Sequence, residues 1–191
     1  MARKTQISKE VILASAFDML LEEGYAAINI TRLAKKIGCS TQPIAWHFGN
    51  METLRAELLT YCLEFLRDRF AVEETSVSGA LDGIAYRYVE LAFDYPNLYK
   101  YLYMSEQDGA KMADMAQTLR AENRDKVIHT IEKEYGIAAV EAEKYLLNLQ
   151  LYVHGIASFA VTKVAFLSKE QAMKMIHDAR EAFLEQAKGG K

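Results

Sequence analysis

Four histidines and two cysteines are the side chains in this 191-residue sequence best suited to hold a metal or move protons. Their spacing argues against both roles. His47, His129, His154 and His177 are dispersed, and the residues three places before them are Ile44, Lys126, Leu151 and Lys174. A di-iron helical bundle needs Glu-x-x-His twice, so that chemistry is excluded. His177 and Glu181 stand at i, i+4, the spacing of an ordinary exposed helix pair. Neither His-Glu-x-x-His, a phosphate loop nor Gly-x-Ser-x-Gly occurs. Cys39 and Cys62 fall on separate expected helices and read as two reduced thiols. No catalytic residue, metal ligand or cofactor is expected.

A different chemistry is better served. Thr41, Gln42, Trp46 and His47 cluster within seven positions and are expected to point outward from one short helix. Gln pairs with adenine through two hydrogen bonds, and a good pair of this kind discriminates by about 1–3 kcal/mol. Thr41, Gln42 and His47 are therefore candidate base readers, with Thr31 behind them. Ser40, Trp46, Asn50 and Thr53 are placed for phosphate or sugar, where contacts position the protein without specifying sequence. Arg3, Lys4, Lys35 and Lys36 add salt-sensitive attraction that is blind to sequence.

The elements that must hold these residues are two short helices hinged at a glycine. Asn29 is a good N-cap, and Leu33, Ala34 and Ile37 then share a face. Gly38 falls where the first helix must stop, since a left-handed residue there costs glycine nothing sterically. Ser40 is expected to cap the second helix, with Pro43 as its third residue, inside the first turn where an N–H has no intrahelical partner. Ile44 and Phe48 follow at i, i+4 and point inward. A short polar-faced helix braced by another is the helix-turn-helix pattern.

Around this unit the sequence predicts an all-α chain. Only two prolines occur and no run of alternating β-branched residues. Ser8 caps a first helix that Gly24 ends, with Leu13, Phe17, Leu20 and Leu21 as its apolar face. Asn50 caps a fourth helix carrying Leu54, Leu58, Tyr61, Leu63 and Phe65 and running to about Phe70. Glu73 to Gly79 is the domain seam. Residues 1–50 are then a DNA-binding head, 51–70 its linking helix, and 71–191 a larger body. In the body, helices are expected over Ala80–Tyr95 (stopped by Pro96), Asn97–Met104, about Gly109–Tyr135, about Ala139–Phe166, and from the Ser168 cap to about Ala187. Ser105–Asp108 reads as a turn and the last four residues as frayed.

Composition is compatible with this layout. Half of the residues are hydrophobic (51%), enough for a sizeable core. Residues 1–55 hold seven Lys/Arg against five acids, a net of +2; the remainder carries −5, and together they make the −3 of the chain. A mildly basic head on an acidic body suits a nucleic-acid partner. No apolar run approaches the roughly 20 residues of a membrane span. Met1-Ala-Arg-Lys-Thr lacks the apolar region of a signal peptide, so a cytoplasmic protein is expected.

The head resembles the TetR family of bacterial transcription regulators. The resemblance is carried by Ile28–Ser40, then Pro43-Ile-Ala-Trp-His-Phe, then Asn50-Met-Glu-Thr-Leu. It covers roughly the first 60 residues, while the body matches in layout, with Tyr152-Val-His-Gly-Ile similar to a stretch of one subgroup. The resemblance implies a homodimer through about residues 139–187, a palindromic double-stranded operator, and a small-molecule effector that releases the DNA. Many members have tyrosine where this chain has Ala45, and lysines where it has Gly49 and Met51. Phosphate grip is lighter for it, and a modest, strongly salt-dependent affinity is expected.

The body is rich in Tyr and Met, which suit an adaptable apolar cavity with a few polar handles. Tyr86, Phe93, Tyr103, Met104, Met112, Met115, Tyr152 and His154 are the candidate effector contacts, against the alternative that they pack a core. Gly155, inside a helix, costs roughly 1 kcal/mol relative to Ala, so either close helix approach or a subunit interface must explain it. The reading is a ligand-responsive repressor. The alternatives are a helical interaction module with a weakened head, and a small helical enzyme.

Overall fold

The structure is a computed structural model, described here over residues 7–69, 77–104 and 124–189. Every regular element among these residues is helical, with no strand. Backbone contacts divide the chain into two units, Met1–Ala71 and Val72–Lys191.

Among the described residues the first unit holds four α-helices, α1 (Lys9–Glu23), α2 (Ile30–Ile37), α3 (Gln42–Phe48) and α4 (Met51–Arg69), with a single 3-10 turn at Tyr25–Ala27. Their starts are set by side-chain caps. Ser8 Oγ accepts the Val11 N–H at 3.4 Å, and Asn29 Oδ1 accepts that of Arg32 at 3.0 Å. Asn50 Oδ1 accepts from the Thr53 N–H at 2.8 Å and the Thr53 hydroxyl at 3.2 Å. Each satisfies a donor that a helix end leaves without an intrahelical partner. Helix α1 packs on α2, α3 and α4, and α3 packs on α4. Ile12, Ala16, Leu20, Leu33, Ile44, Phe48, Leu54 and Leu58 are buried between them. Phe17 adds tilted ring contacts to Tyr61 (5.2 Å) and Phe65 (5.0 Å).

The turn between α2 and α3 differs in detail from expectation. Gly38 is left-handed (φ 78, ψ 33), and its N–H reaches the Ala34 and Lys35 carbonyls at 3.0 and 3.2 Å. The next helix begins at Gln42, however, so Thr41 rather than Ser40 holds the cap position, and Pro43 is the second residue rather than the third. Thr41 already has helical backbone angles (φ −70, ψ −14), and its carbonyl accepts the Ala45 N–H at 3.0 Å. No side-chain cap is made there; proline at the second position reduces the need, having no N–H to satisfy.

The second unit holds α5 (Val77–Asp94), α6 (Pro96–Tyr103), a further helix α7 described over 124–135, α8 (Ala139–Thr162) and α9 (Lys169–Ala187). Helix α8 lies against α5, α6 and α9, and α5 also touches α6 and α9. Leu81, Val89, Leu98, Tyr99, Tyr145, Leu149, Ile156 and Ile176 are among the buried side chains. Ser168 and Gln171 form a reciprocal capping box at the start of α9. Lys169 beside it bridges to Glu90 (3.3 Å) and Asp94 (2.9 Å) at the end of α5. The expected helix over Ala139–Phe166 stops four residues early. Lys163 turns left-handed (φ 58, ψ 24) and closes it, with no glycine in the sequence to signal the stop. The expected start of the preceding helix, 109–123, and the Ser105–Asp108 turn lie outside the described residues.

Candidate functional site

Helix α3 is short and its two faces are unlike. Ile44 and Phe48 are buried at i, i+4, while Gln42, Ala45 and Trp46 are exposed, Trp46 by 70%. Thr31 and Lys35 on α2, with Ser40, Thr41 and Asn50 at the helix ends, are exposed too. The exposed set thus offers hydroxyls, an amide, an indole and one ammonium, all on or beside two braced helices. This chemistry suits base edges and phosphates.

His47 stands apart from that set. Its ring is half-buried, and Nε2 lies 2.9 Å from the Ile7 carbonyl, to which it donates. Trp46 packs edge-on against the same imidazole, centroids 4.6 Å apart. The sequence placed His47 among outward base readers; the structure commits one of its ring nitrogens to the chain just ahead of α1. Asn50 Oδ1 is likewise engaged in capping α4.

Much of the head's positive charge is already matched. Lys36 pairs with Glu22 at 2.6 Å, Arg32 with Glu23, and Lys9 with Glu57 at 2.6 Å. The hydrogen bond that Lys36 donates to Glu22, supplemented by the carboxylate's charge, holds the Lys36 ammonium above its ordinary pKa. Lys9 also sits 5.5 Å over the Phe48 ring, and Arg55 lies 5.4 Å over Tyr25. Exposed ion pairs of this kind stabilise little, but they lower the potential a phosphate meets. Lys35 is exposed and makes no ion pair among the described residues.

In the second unit a polar cluster joins three helices. The Tyr88 hydroxyl lies 2.7 Å from His154 Nδ1 and the Tyr99 hydroxyl 3.2 Å from the same atom. The two hydroxyls are 3.3 Å apart, and Tyr99 also reaches Ser158 Oγ at 3.3 Å. Tyr103 stacks, tilted, on Tyr88 (4.9 Å) and Tyr99 (5.1 Å). Tyr99 is fully buried and His154 exposed, so the network runs from core to surface. Of the expected effector contacts, Tyr103 and His154 meet here through Tyr88 and Tyr99. Tyr86 and Phe93 are half-buried on α5, and Met104 is 42% exposed. Tyr152 faces another way, ring edge toward Phe183 of α9 at 6.0 Å. Met112 and Met115 lie outside the described residues. Tyr88 and Tyr99 belong to the same aromatic-rich stretch of sequence as the expected contacts, but their link to His154 spans up to 66 positions and leaves no local spacing signal; Ser158, which joins through Tyr99, was not expected.

A cavity of about 100 Å³ lies between α8 and α9, lined by residues such as Lys144, Asn148 and Phe183 and by none of the expected contacts. It is below the roughly 300 Å³ at which drug-sized ligand pockets begin. Among the described residues no group of three His, Cys, Asp or Glu is placed to hold a metal, and no helix is long and apolar enough to cross a membrane.

An apolar stripe crosses the outer face of α8. Leu147, Leu151 and Phe159 are exposed at four- and eight-residue intervals, with Gly155 completing the row. A methyl group built on Gly155 meets nothing within 4 Å, so close approach among the described residues does not account for that glycine. Met175 of α9 is also exposed.

Comparison with known proteins gives three results. The model for bacterial regulatory proteins of the tetR family matches residues 12–58, which span α1 to the first half of α4. The uncharacterized HTH-type transcriptional regulator YobS of Bacillus subtilis (strain 168) is 23% identical over 193 residues, covering 96% of this chain and 94% of its own. A crystal structure of a TetR variant from Acinetobacter baumannii AYE in complex with minocycline superposes with a TM-score of 0.55 at 16% identity, covering 94% of this chain and 96% of that one.

Proposed function

We propose that this chain, whose residues 12–58 match the model for bacterial regulatory proteins of the tetR family, is a DNA-binding transcription regulator of that family: a cytoplasmic, dimeric repressor whose hold on a palindromic operator is relieved by a small apolar or aromatic molecule. It acts by binding, not by catalysis. The observation that carries the reading is the asymmetry of α3: Ile44 and Phe48 anchor it, leaving Thr41, Gln42 and Trp46 free to meet a major groove. The row Leu147, Leu151, Gly155 and Phe159 supports a second copy lying across α8. A two-fold dimer reads half-sites about one helical turn, roughly 34–36 Å, or a multiple of it apart.

Effector action follows from linkage. A molecule that binds the body better in the state with low DNA affinity weakens DNA binding by the same factor by which DNA weakens its own binding. The Tyr88–Tyr99–Tyr103–His154 cluster supports a ligand with both ring surface and a hydrogen-bonding group.

A mobility-shift titration against the chain's own promoter, at two salt concentrations, tests the reading. A sequence-specific shift that Gln42→Ala weakens or relaxes is expected. No specific shift at low salt would sink the repressor and leave the interaction module. Light scattering that found a monomer at micromolar concentration would defeat the dimer.

A further inference from the structure

We propose that Glu22 and Glu23 set the strength of DNA binding: they hold Lys36 and Arg32, the two cations that α2 would otherwise turn toward phosphate, and so keep the head's grip on DNA of any sequence light. The inference rests on the DNA-binding reading above and deepens it, naming residues outside the recognition helix that tune its affinity.

Arg32 and Lys36 stand at i, i+4 on α2 and share a face, while Thr31 and Lys35 share the adjacent one. In a helix-turn-helix the first helix crosses the DNA backbone, so α2 is the element whose cations meet phosphate. Lys36 Nζ donates to Glu22 Oε2 at 2.6 Å, and the Arg32 guanidinium donates to Glu23. Both acids lie in the last turn of α1, which carries no basic residue. A carboxylate there faces the negative end of the helix dipole and is unfavourable for α1 itself. Lys36 has no such need of a partner, since the last turn of α2 already favours a cation. Neither helix by itself accounts for the two acids; the cations across from them do. Asp18, one turn before Glu22, adds its charge at Lys36. This edge of α1 is therefore an acidic strip laid against the cationic face of α2.

The Lys and Arg residues of α2 and α3 are Arg32, Lys35 and Lys36. Glutamate cancels two of them, and Lys35 is the one that makes no ion pair among the described residues. The paired side chains keep between 30% and 62% of their surface in water. Pairs so exposed contribute little to stability, so glutamine in place of glutamate frees the cation and leaves the head folded. A freed cation that neutralises a phosphate releases counterions and steepens the salt slope of binding by about 0.9. Two cations per subunit give at most about 1.8, or roughly tenfold in affinity between about 50 and 200 mM salt. The gain is blind to sequence, because phosphate contacts carry no base information. Readout by Thr41 and Gln42 is left as it was.

The test is a mutant cycle read by fluorescence anisotropy over that salt range, on two duplexes of equal length, one from the chain's own promoter and one of mixed sequence. The variants are Glu22→Gln/Glu23→Gln, Arg32→Ala/Lys36→Ala, and all four changes together. The glutamine pair is expected to bind both duplexes more tightly at the lowest salt, by up to about tenfold per subunit. Its slope is steeper, so the advantage fades as salt rises, and the affinity ratio between the duplexes is unchanged. In the combination the gain is absent, since no cation remains to be freed. A melting curve for each variant establishes that the head is folded at the assay temperature. Where the double glutamine variant is not, Glu22→Gln and Glu23→Gln are read singly, each giving about half of the added slope. A gain that persists in the combination would show that the carboxylates repel DNA directly. A changed duplex ratio would show that they bear on base reading, and a glutamine pair that binds no better than wild type would show that the ion pairs only brace α1 on α2. Each of these results overturns the proposal. No binding by any variant at the lowest salt removes the DNA-binding reading and this inference with it, whereas wild-type binding without the gain removes this inference alone.

Discussion

Replacing Gly38 by alanine isolates the conformational cost of the turn between α2 and α3. The residue sits at φ 78, ψ 33, and a Cβ added there meets nothing within 4 Å. No clash contributes, so the penalty is that of an L-residue in the left-handed region, about 1–2 kcal/mol. Alanine also narrows the unfolded ensemble, which returns about 0.4–1 kcal/mol. The net expectation is a loss of roughly 1 kcal/mol. Asparagine, which tolerates the left-handed region, should lose less. Gly49 gives an internal contrast. It too has open space where a Cβ would stand, but at φ 71, ψ −52 it lies outside the left-handed helical basin. Gly49→Ala should therefore cost more, within the roughly 1–3 kcal/mol of sparsely populated conformations. For a unit the size of the head, about 1 kcal/mol moves the melting temperature by about 4–8 °C. Circular dichroism melts follow the helices, and Trp46, the chain's one tryptophan, reports on the head alone. The order wild type, Gly38→Asn, Gly38→Ala, Gly49→Ala is the prediction. A Gly38→Ala variant that melts with wild type would refute the claim that left-handed geometry holds the turn, and equal losses for Asn and Ala would show that the cost is not conformational.

Other outcomes follow from single contacts. Asn50→Ala removes the cap of α4 and should cost about 1 kcal/mol in a thermal melt, with Asn50→Asp close to wild type. Tyr99→Phe keeps the buried ring but strips the hydroxyl shared by Tyr88, His154 and Ser158; denaturant titration should show a loss of about 1–2 kcal/mol, and no loss would mean the cluster contributes nothing to folding. Burial pushes the Cys62 thiol from 9.0 up to about 12, while Cys39 is only half-buried. Native protein should therefore react with thiol reagents at Cys39 well before Cys62. Because the folded state keeps a Cys62 proton that the unfolded chain releases, this group's contribution is intact below about 9 and is lost as pH rises from there toward about 12. Cys62→Ala should flatten that alkaline decline.

Local chemistry made much of the fold legible. Ser8, Asn29, Asn50 and Ser168 cap helices as their types and positions suggest, and Gly24 and Gly38 end them with positive φ. Inward Ile44 and Phe48 follow from their spacing. What escaped were features whose cause is not local. Lys163 closes α8 in a conformation that its residue type disfavours. The start of α3 was set by backbone already turned helical at Thr41, where two hydroxyl residues in succession made the cap ambiguous. The tie between His47 and Ile7, and the meeting of Tyr88, Tyr99 and His154, join residues 40 to 66 positions apart. Periodicity and spacing carry no record of such pairs. The types in the body, many tyrosines and a histidine beside a glycine, pointed toward a polar-lined apolar region without saying which rings would converge.

The unfilled space above Gly155 bears on how this chain has been shaped. A 24-residue helix with an open niche at its middle is less stable than it need be, since alanine would fit and would gain roughly 1 kcal/mol of helix propensity. Selection for the stability of a single chain alone would have closed that niche. If the chain pairs across α8 as proposed, Gly155→Ala should raise the melting temperature of dilute protein while weakening self-association at high concentration, so that one methyl group sets the interests of the single chain against those of the pair.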